Sequence, residues 1–217
     1  MSRRIWDISE PLDEQTAVYP GDTSFSREWV MRIEQGGSCN ISTIRTSVHA
    51  GTHADAPLHY DCNGKDSASV DLGKYLGRCR LVDVRGEGSP SLFPPAALSP
   101  SMLSGVERIL FRTHDRHDRT YFDPGFTAVG YAAARVLVAA GIVLVGIDTP
   151  SVDHSTSKEL PAHMEFLRGD VALLENLDLS GVPAGDYELI ALPLRIVGSD
   201  STPVRAILRE LPVKEEA

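Results

Sequence analysis

The chemistry of this chain is concentrated in eleven residues, His49-Ala-Gly-Thr-His-Ala-Asp-Ala-Pro-Leu-His59, which hold three of its seven histidines and an aspartate. His49, His53, Asp55 and His59 all fall on odd positions, and in an extended strand side chains of one parity share a face. On a helix His49 and His53 would align, but Asp55 and His59 would rotate away. Gly51 and Pro57 also disfavour a regular helix. The expectation is a strand end running into a turn, with imidazoles and a carboxylate converging on one side. Mixed nitrogen and oxygen donors of that kind suit a divalent metal or acid–base catalysis. A polar loop with hydrogen-bonded histidines is the plainer alternative. It explains one histidine better than three with an aspartate at this spacing.

Two other segments offer donors. His163 falls on a predicted helix from Leu160 to Leu167 that Gly169 stops, and Glu175 closes the apolar run Val171-Ala-Leu-Leu-Glu175. A glutamate there needs solvent, a partner or a metal, although spacing alone makes neither residue a ligand. Asp148 reads as a strand-end cap or turn residue. The alternating charges of Thr113-His-Asp-Arg-His-Asp-Arg119 describe a solvated loop around His114 and His117. His154 is expected at the surface, and Cys62 as a half-buried thiol.

These residues need a scaffold. Short β-type runs span Ile5 to Ile8, Ile41 to Val48, Arg80 to Val84, Arg108 to Arg112, Ile142 to Ile147, Tyr187 to Ile196 and Val204 to Arg209. Each is rich in Val, Ile or Leu and is bounded by turn formers. The clearest helix covers Ala128 to Ala140, with Thr127 as N-cap and Gly141 just past its end. The run after it is apolar on both faces, as in a fully buried strand. The expected fold is α/β, a single domain over residues 1–217 with mixed strand directions. The Gly/Pro/Ser-rich stretch from Gly86 to Pro100 is a surface excursion within it.

Composition narrows the function. Of 217 residues, 42% are hydrophobic and 24% charged, with a net charge of −9. That balance disfavours nucleic acid and anionic membranes as partners, since both reward clustered cations. Cys39, Cys62 and Cys79 show no CxxC spacing, and the first residues hold no apolar leader. The expectation is a cytoplasmic protein in a reducing compartment. No GxSxG elbow, P-loop or dinucleotide-binding glycine motif is present.

The eleven-residue segment has the form HxGTHxDxPxH, and by it the chain resembles the metal-dependent cyclase-type hydrolases, among them most closely the bacterial kynurenine formamidases (arylformamidases). The likeness extends through Val18-Tyr-Pro-Gly-Asp-Thr23, Gly146-Ile-Asp-Thr-Pro-Ser151, Leu174-Glu-Asn-Leu177, Tyr187-Glu-Leu-Ile-Ala-Leu-Pro193 and Ser201-Thr-Pro-Val-Arg205. The resemblance implies a compact α/β domain with a partly barrel-like β-sheet and flanking helices, assembled as a homodimer or higher oligomer. It implies two divalent metal ions, usually zinc, with manganese as the alternative. His49 and His53 would hold one metal, His163 the other, and Asp55 and Glu175 would bridge. His59 would stay off the metal as proton donor and acceptor. Tyr19 would line the pocket for an aryl formamide substrate, at a position where the family usually has Trp or Phe, with Trp6 as a further stacking surface. A hydrolase for cyclic amides of the isatin type, and a non-catalytic metal-binding module, are the competing readings.

Overall fold

A computed structural model describes residues 3–86, 92–115 and 118–212; residues 87–91 of the Gly/Pro/Ser-rich stretch and His117 lie outside the described residues. The strands in chain order are β1 (Ile5–Asp7), β2 (Ser26–Met31), β3 (Ile41–Arg45), β4 (His53–Asp55), β5 (Leu76–Asp83), β6 (Arg108–Arg112), β7 (Leu144–Ile147), β8 (Ala172–Glu175), β9 (Gly185–Ile190), β10 (Ser201–Pro203) and β11 (Ile207–Glu210). The helices are α1 (Pro100–Leu103), α2 (Gly130–Ala139) and α3 (Pro161–Arg168).

Nine strands form one mixed sheet in the order β1-β11-β9-β5-β6-β7-β8-β4-β10. Strands β5 to β8 run parallel, and the flanking pairs are antiparallel. In a flat sheet β1 and β8 would stand six strand spacings apart, roughly 29 Å. Yet the Asp178 amide donates to the Ile8 carbonyl at 3.0 Å, and Ser9 bridges to Leu177. The sheet is therefore curled into a half-barrel, as the family resemblance led one to expect.

Alternation along the central strands feeds two cores. Leu110, Leu144 and Leu174 join Tyr75, Leu189 and Leu208 inside the curl. Their neighbours Ile109, Phe111, Val145 and Leu173 face the other way, against Ala133 and Leu137 of α2 and Ala162 and Phe166 of α3. Burial on both faces is what the continuous apolar run at Ile142 to Ile147 foretold.

Several boundaries differ from expectation. The first helix begins at Gly130 with Val129 as an N-cap lacking a side-chain bond, because the Gly130 amide donates to the Val152 carbonyl instead. Thr127 contributes only its carbonyl, to the Thr149 hydroxyl. The run Tyr187 to Ile196 leaves the sheet after Ile190, and Ile41 to Val48 ends at Arg45. Strand β2 was not foreseen. It pairs with β3 in a separate two-stranded arm, exposed along its whole length.

Gly146 marks the tightest crossing of the inner core. A Cβ there would lie 2.4 Å from Leu110 Cδ2 and 2.8 Å from Leu177 Cδ1. Glycine-to-alanine changes that fit without strain stabilise slightly through the unfolded chain. Gly146→Ala is expected instead to destabilise by about 1–3 kcal/mol through overpacking. A urea midpoint equal to or above wild type would show that the two leucines yield.

Candidate metal centre

Strand β4 supplies His53 and Asp55 on one face, and antiparallel pairing sets Glu175 of β8 directly opposite His53. Leu173 pairs with Asp55 and belongs to the core under α3, so this face looks toward that helix. His163 descends from α3, and all four polar side chains are at most 3% exposed. The one-strand reading of the motif holds for His53 and Asp55 alone. His49 lies on the turn before β4, and His59 ends a 3₁₀ turn from Pro57 to His59. They reach the cluster by chain reversal, not by strand parity. Gly51 makes the entry possible with φ +63°, a conformation that favours glycine.

The side chains converge on Asp55. His49 Nδ1 is 3.2 Å from Oδ1, His53 Nε2 3.4 Å from Oδ1, and His163 Nε2 3.5 Å from Oδ2. Glu175 lies 3.3 Å from His53 Nε2 and 3.7 Å from His163 Nε2. Both Asp55 oxygens, His53 Nε2 and His163 Nε2 are buried without a hydrogen-bond partner. Orphaned polar atoms in such a place are costly. Two donors about 2.05 Å from a tetrahedral cation stand about 3.3 Å apart, close to the spacings seen here. The residues present therefore fit a divalent cation. Two compact donor groups share Asp55, namely His49/Asp55/His59 and His53/Asp55/Glu175.

Each imidazole facing Asp55 is held by its other nitrogen. His53 Nδ1 lies 2.8 Å from the Gly51 carbonyl, His163 Nδ1 2.8 Å from Asp153 and His49 Nε2 2.9 Å from Asp200. In every case the nitrogen left over faces Asp55, the arrangement that fixes ligand tautomers in metal sites. Burial alone would lower the His163 and His49 values. The carboxylates beside them outweigh it, raising His163 to about 10 and His49 to about 9. The same imidazoles hold Asp55 well below the usual carboxylate range, against its burial. Without a cation, protons occupy the place a cation would take. His59 behaves differently: burial is the main influence and pushes it below the ordinary imidazole value.

The cluster floors a cavity of about 320 Å³ whose walls include Tyr19, Tyr121, Phe122 and Phe126. Tyr19 packs edge-on against Phe122 with ring centroids 5.4 Å apart. Trp6 is absent from the lining. It packs against Tyr187 and the inner core, the two rings' centroids 5.1 Å apart. His154, expected at the surface, lines the cavity, and Cys62, expected half-buried, is exposed. Asp148 is the strand-end clamp expected of it, accepting the Thr113 amide and hydroxyl at 2.8–3.0 Å. Its burial still raises it to about 6.

Sequence reasoning missed Glu10, Asp153 and Asp200. Glu10 lines the cavity and is raised to about 7, mainly by burial and then by Asp178. Asp153 accepts from His163 Nδ1 and from the Ala162 and His163 amides, so it both turns the imidazole and opens α3. Isolated acids in polar loops carry no periodic signal.

Residues 6–154 match the family model of the Cyclase family. A kynurenine formamidase of Polaromonas naphthalenivorans (strain CJ2) is 46% identical over 208 residues, covering 96% of this chain and 92% of that protein. The solved structure of a potential metal-dependent hydrolase with cyclase activity is 27% identical at TM-score 0.80, covering 98% of this chain and 100% of that one. Isatin hydrolase A from Labrenzia aggregata, solved with benzyl benzoate, is 24% identical at TM-score 0.79, covering 96% and 94%. That last likeness speaks to the fold alone.

Asp153→Ala is expected to weaken metal affinity about 10- to 100-fold by releasing His163 Nδ1. Competition with a chromophoric chelator measures this, and unchanged affinity would remove Asp153 from the site's support.

Proposed function

The chain belongs to the cyclase family, and on that premise we infer that it is an arylformamidase, a metal-dependent hydrolase that converts N-formyl-L-kynurenine to L-kynurenine and formate. The observation that carries the reading is the buried, unpartnered donor set around Asp55 beneath an aromatic-walled cavity. We assign His49, His53, Asp55, His163 and Glu175 to two divalent ions, zinc by the nature of the donors, with manganese also suited to them. When bound, such ions supply a Lewis acid for the formyl oxygen and acidify water.

The chain's own residues supply the rest. His59 is exposed at the cavity, and its lowered affinity for protons suits a base. It takes one proton from the attacking water and returns it to the aryl nitrogen as the C–N bond breaks. An aniline leaves more readily than an alkyl amine, so one imidazole suffices for both transfers. Tyr19 and Phe122 offer ring edges and faces to the substrate's aromatic ring. The cyclic-amide alternative has only the isatin hydrolase fold in its favour.

No helix among the described residues is long and apolar enough to cross a membrane. Cys39, Cys62 and Cys79 are unbonded, and we assign the enzyme to the cytoplasm. We further propose a homodimer or higher oligomer built on the β2–β3 arm. Trp29, Val30, Ile33, Ile41 and Ile44 are 40–67% exposed there, and a lone hairpin is marginal in water without a partner surface.

Formate release from N-formyl-L-kynurenine is expected to be lost on chelation and restored by zinc. His59→Ala should keep its metal while losing most of kcat, by about 10²–10⁴-fold. A metal-loaded wild type without turnover would overturn the formamidase reading, and metal loss in the variant would make His59 a ligand. Light scattering should return a multiple of the chain mass, and a monomer would dismiss the role given to the arm.

A further inference from the structure

One residue outside the ligand set touches both kinds of histidine in this site. Asp200 Oδ2 lies 2.9 Å from His49 Nε2 and 3.6 Å from His59 Nδ1. The two rings stand 4.3 Å apart, inclined at 46°. Among the described residues, Asp200 is the one carboxylate within 4.0 Å of a His59 ring nitrogen. We propose that Asp200 is a positioning residue shared by the two histidines. One carboxylate oxygen fixes His49 with Nδ1 toward the metal and His59 with Nε2 toward the substrate.

The backbone places Asp200 there independently of its side chain. The Ala56 amide donates to the Asp200 carbonyl at 2.9 Å, and Ser201 of β10 pairs with Asp55 of β4. Ser199 and Ser201 on either side are buried, and the Ser199 hydroxyl donates to the Ser201 carbonyl at 2.7 Å. The Asp200 side chain itself is 46% exposed. An exposed carboxylate adds little stability as an ion pair, so its value lies in orienting the rings.

For His49, holding Nε2–H leaves Nδ1 as the lone pair facing Asp55. This is the carboxylate–histidine–metal relation, and losing such a partner typically costs 10- to 100-fold in metal affinity. For His59, the 3.6 Å separation exceeds a hydrogen bond. Catalytic contacts of this kind often tighten only when substrate is bound. With Nδ1–H directed at Asp200, His59 Nε2 is the nitrogen that accepts and returns the proton. The division parallels the carboxylate that holds the imidazole of a serine protease in its working tautomer. One oxygen therefore couples metal retention to proton transfer.

The His59 half of this inference rests on the formamidase reading, and the His49 half does not. The test uses the zinc-loaded chain with Asp200→Asn, Asp200→Ala and Asp200→Glu, thermal unfolding being followed for each. Zinc affinity by chelator competition should fall about 10- to 100-fold in Asp200→Ala. At saturating zinc, kcat should stay about 10- to 100-fold low with KM unchanged, and Asp200→Glu should recover part of both losses. Long-range proton–nitrogen spectra of zinc-loaded wild type should show His59 protonated on Nδ1, a state the Asn variant loses. A kcat defect cured wholly by zinc would confine Asp200 to His49 and overturn the shared role. Permanent loss of one zinc equivalent would make it a ligand, and unchanged affinity, kcat and tautomer would dismiss it. If wild type fails to hydrolyse the formamide, the formamidase reading falls, while the zinc competition and the spectra still decide the role of Asp200.

Discussion

A carboxylate buried without a donor is the constraint around which this molecule is arranged. Asp55 is 2% exposed, and neither of its oxygens has a hydrogen-bond partner. Isolating such a charge costs several kcal/mol, and only close positive charge makes it tolerable. Three imidazoles and a glutamate surround it. The glutamate would worsen the repulsion in the absence of a cation. The cluster therefore makes physical sense as a cation site whose ligands are held before the ion arrives. A proton on His49 or His163 serves as the weaker substitute.

Holding the ligands apart at 3.2–3.7 Å demands a scaffold that cannot relax. Strand β4 has only three residues, yet it lies between β8 and β10. Both of its backbone edges are thereby fixed, and with them the Cβ directions of His53 and Asp55. Glu175 inherits its place from register. His163 inherits its place from α3, whose first turn is anchored by Asp153 and whose inner face is pinned by Ala162 and Phe166. A one-residue slip of β4 against β8 would send both ligands into the opposite core. The packed leucines of that core make the slip prohibitive.

The legible part of this design was chemical, and the hidden part was geometric. Residue types in the segment from His49 to His59 announced a donor cluster, and parity placed His53 and Asp55 correctly. Parity failed for His49 and His59, because Gly51 and Pro57 reverse the chain on either side of a very short strand. His163 and Glu175 had no local signal beyond an ill-placed acid and a helix histidine; resemblance to known enzymes named them. Asp153 and Asp200 were invisible, since an acid in a polar loop looks the same whether it faces solvent or an imidazole 2.8 Å away. The curl, closed by a backbone bond between residues 8 and 178, had no local signal either and was expected only from the family resemblance. Strand β2 escaped notice, though its partner β3 did not, because β2 is exposed along its whole length and no burial alternation marks it.

The remaining question is why one histidine of the motif should be left outside the buried set. A group that must exchange protons with both water and a leaving nitrogen has to be rotatable and wet. A metal ligand has to be neither. The site grades from His53 and His163, each 1% exposed, through half-buried His49 to exposed His59 at the cavity. His53, His163 and His49 each have one ring nitrogen held by a hydrogen bond, while the nearest carboxylate to His59 Nδ1 stands 3.6 Å away. In the proposed reading the fold gives identical side chains different roles through their depth and their carboxylate partners, with Tyr19, Phe122 and Phe126 lining the same cavity. Interactions at that deep end are stronger for being dry, while His59, the proton carrier of the proposed reaction, stays where protons can reach it.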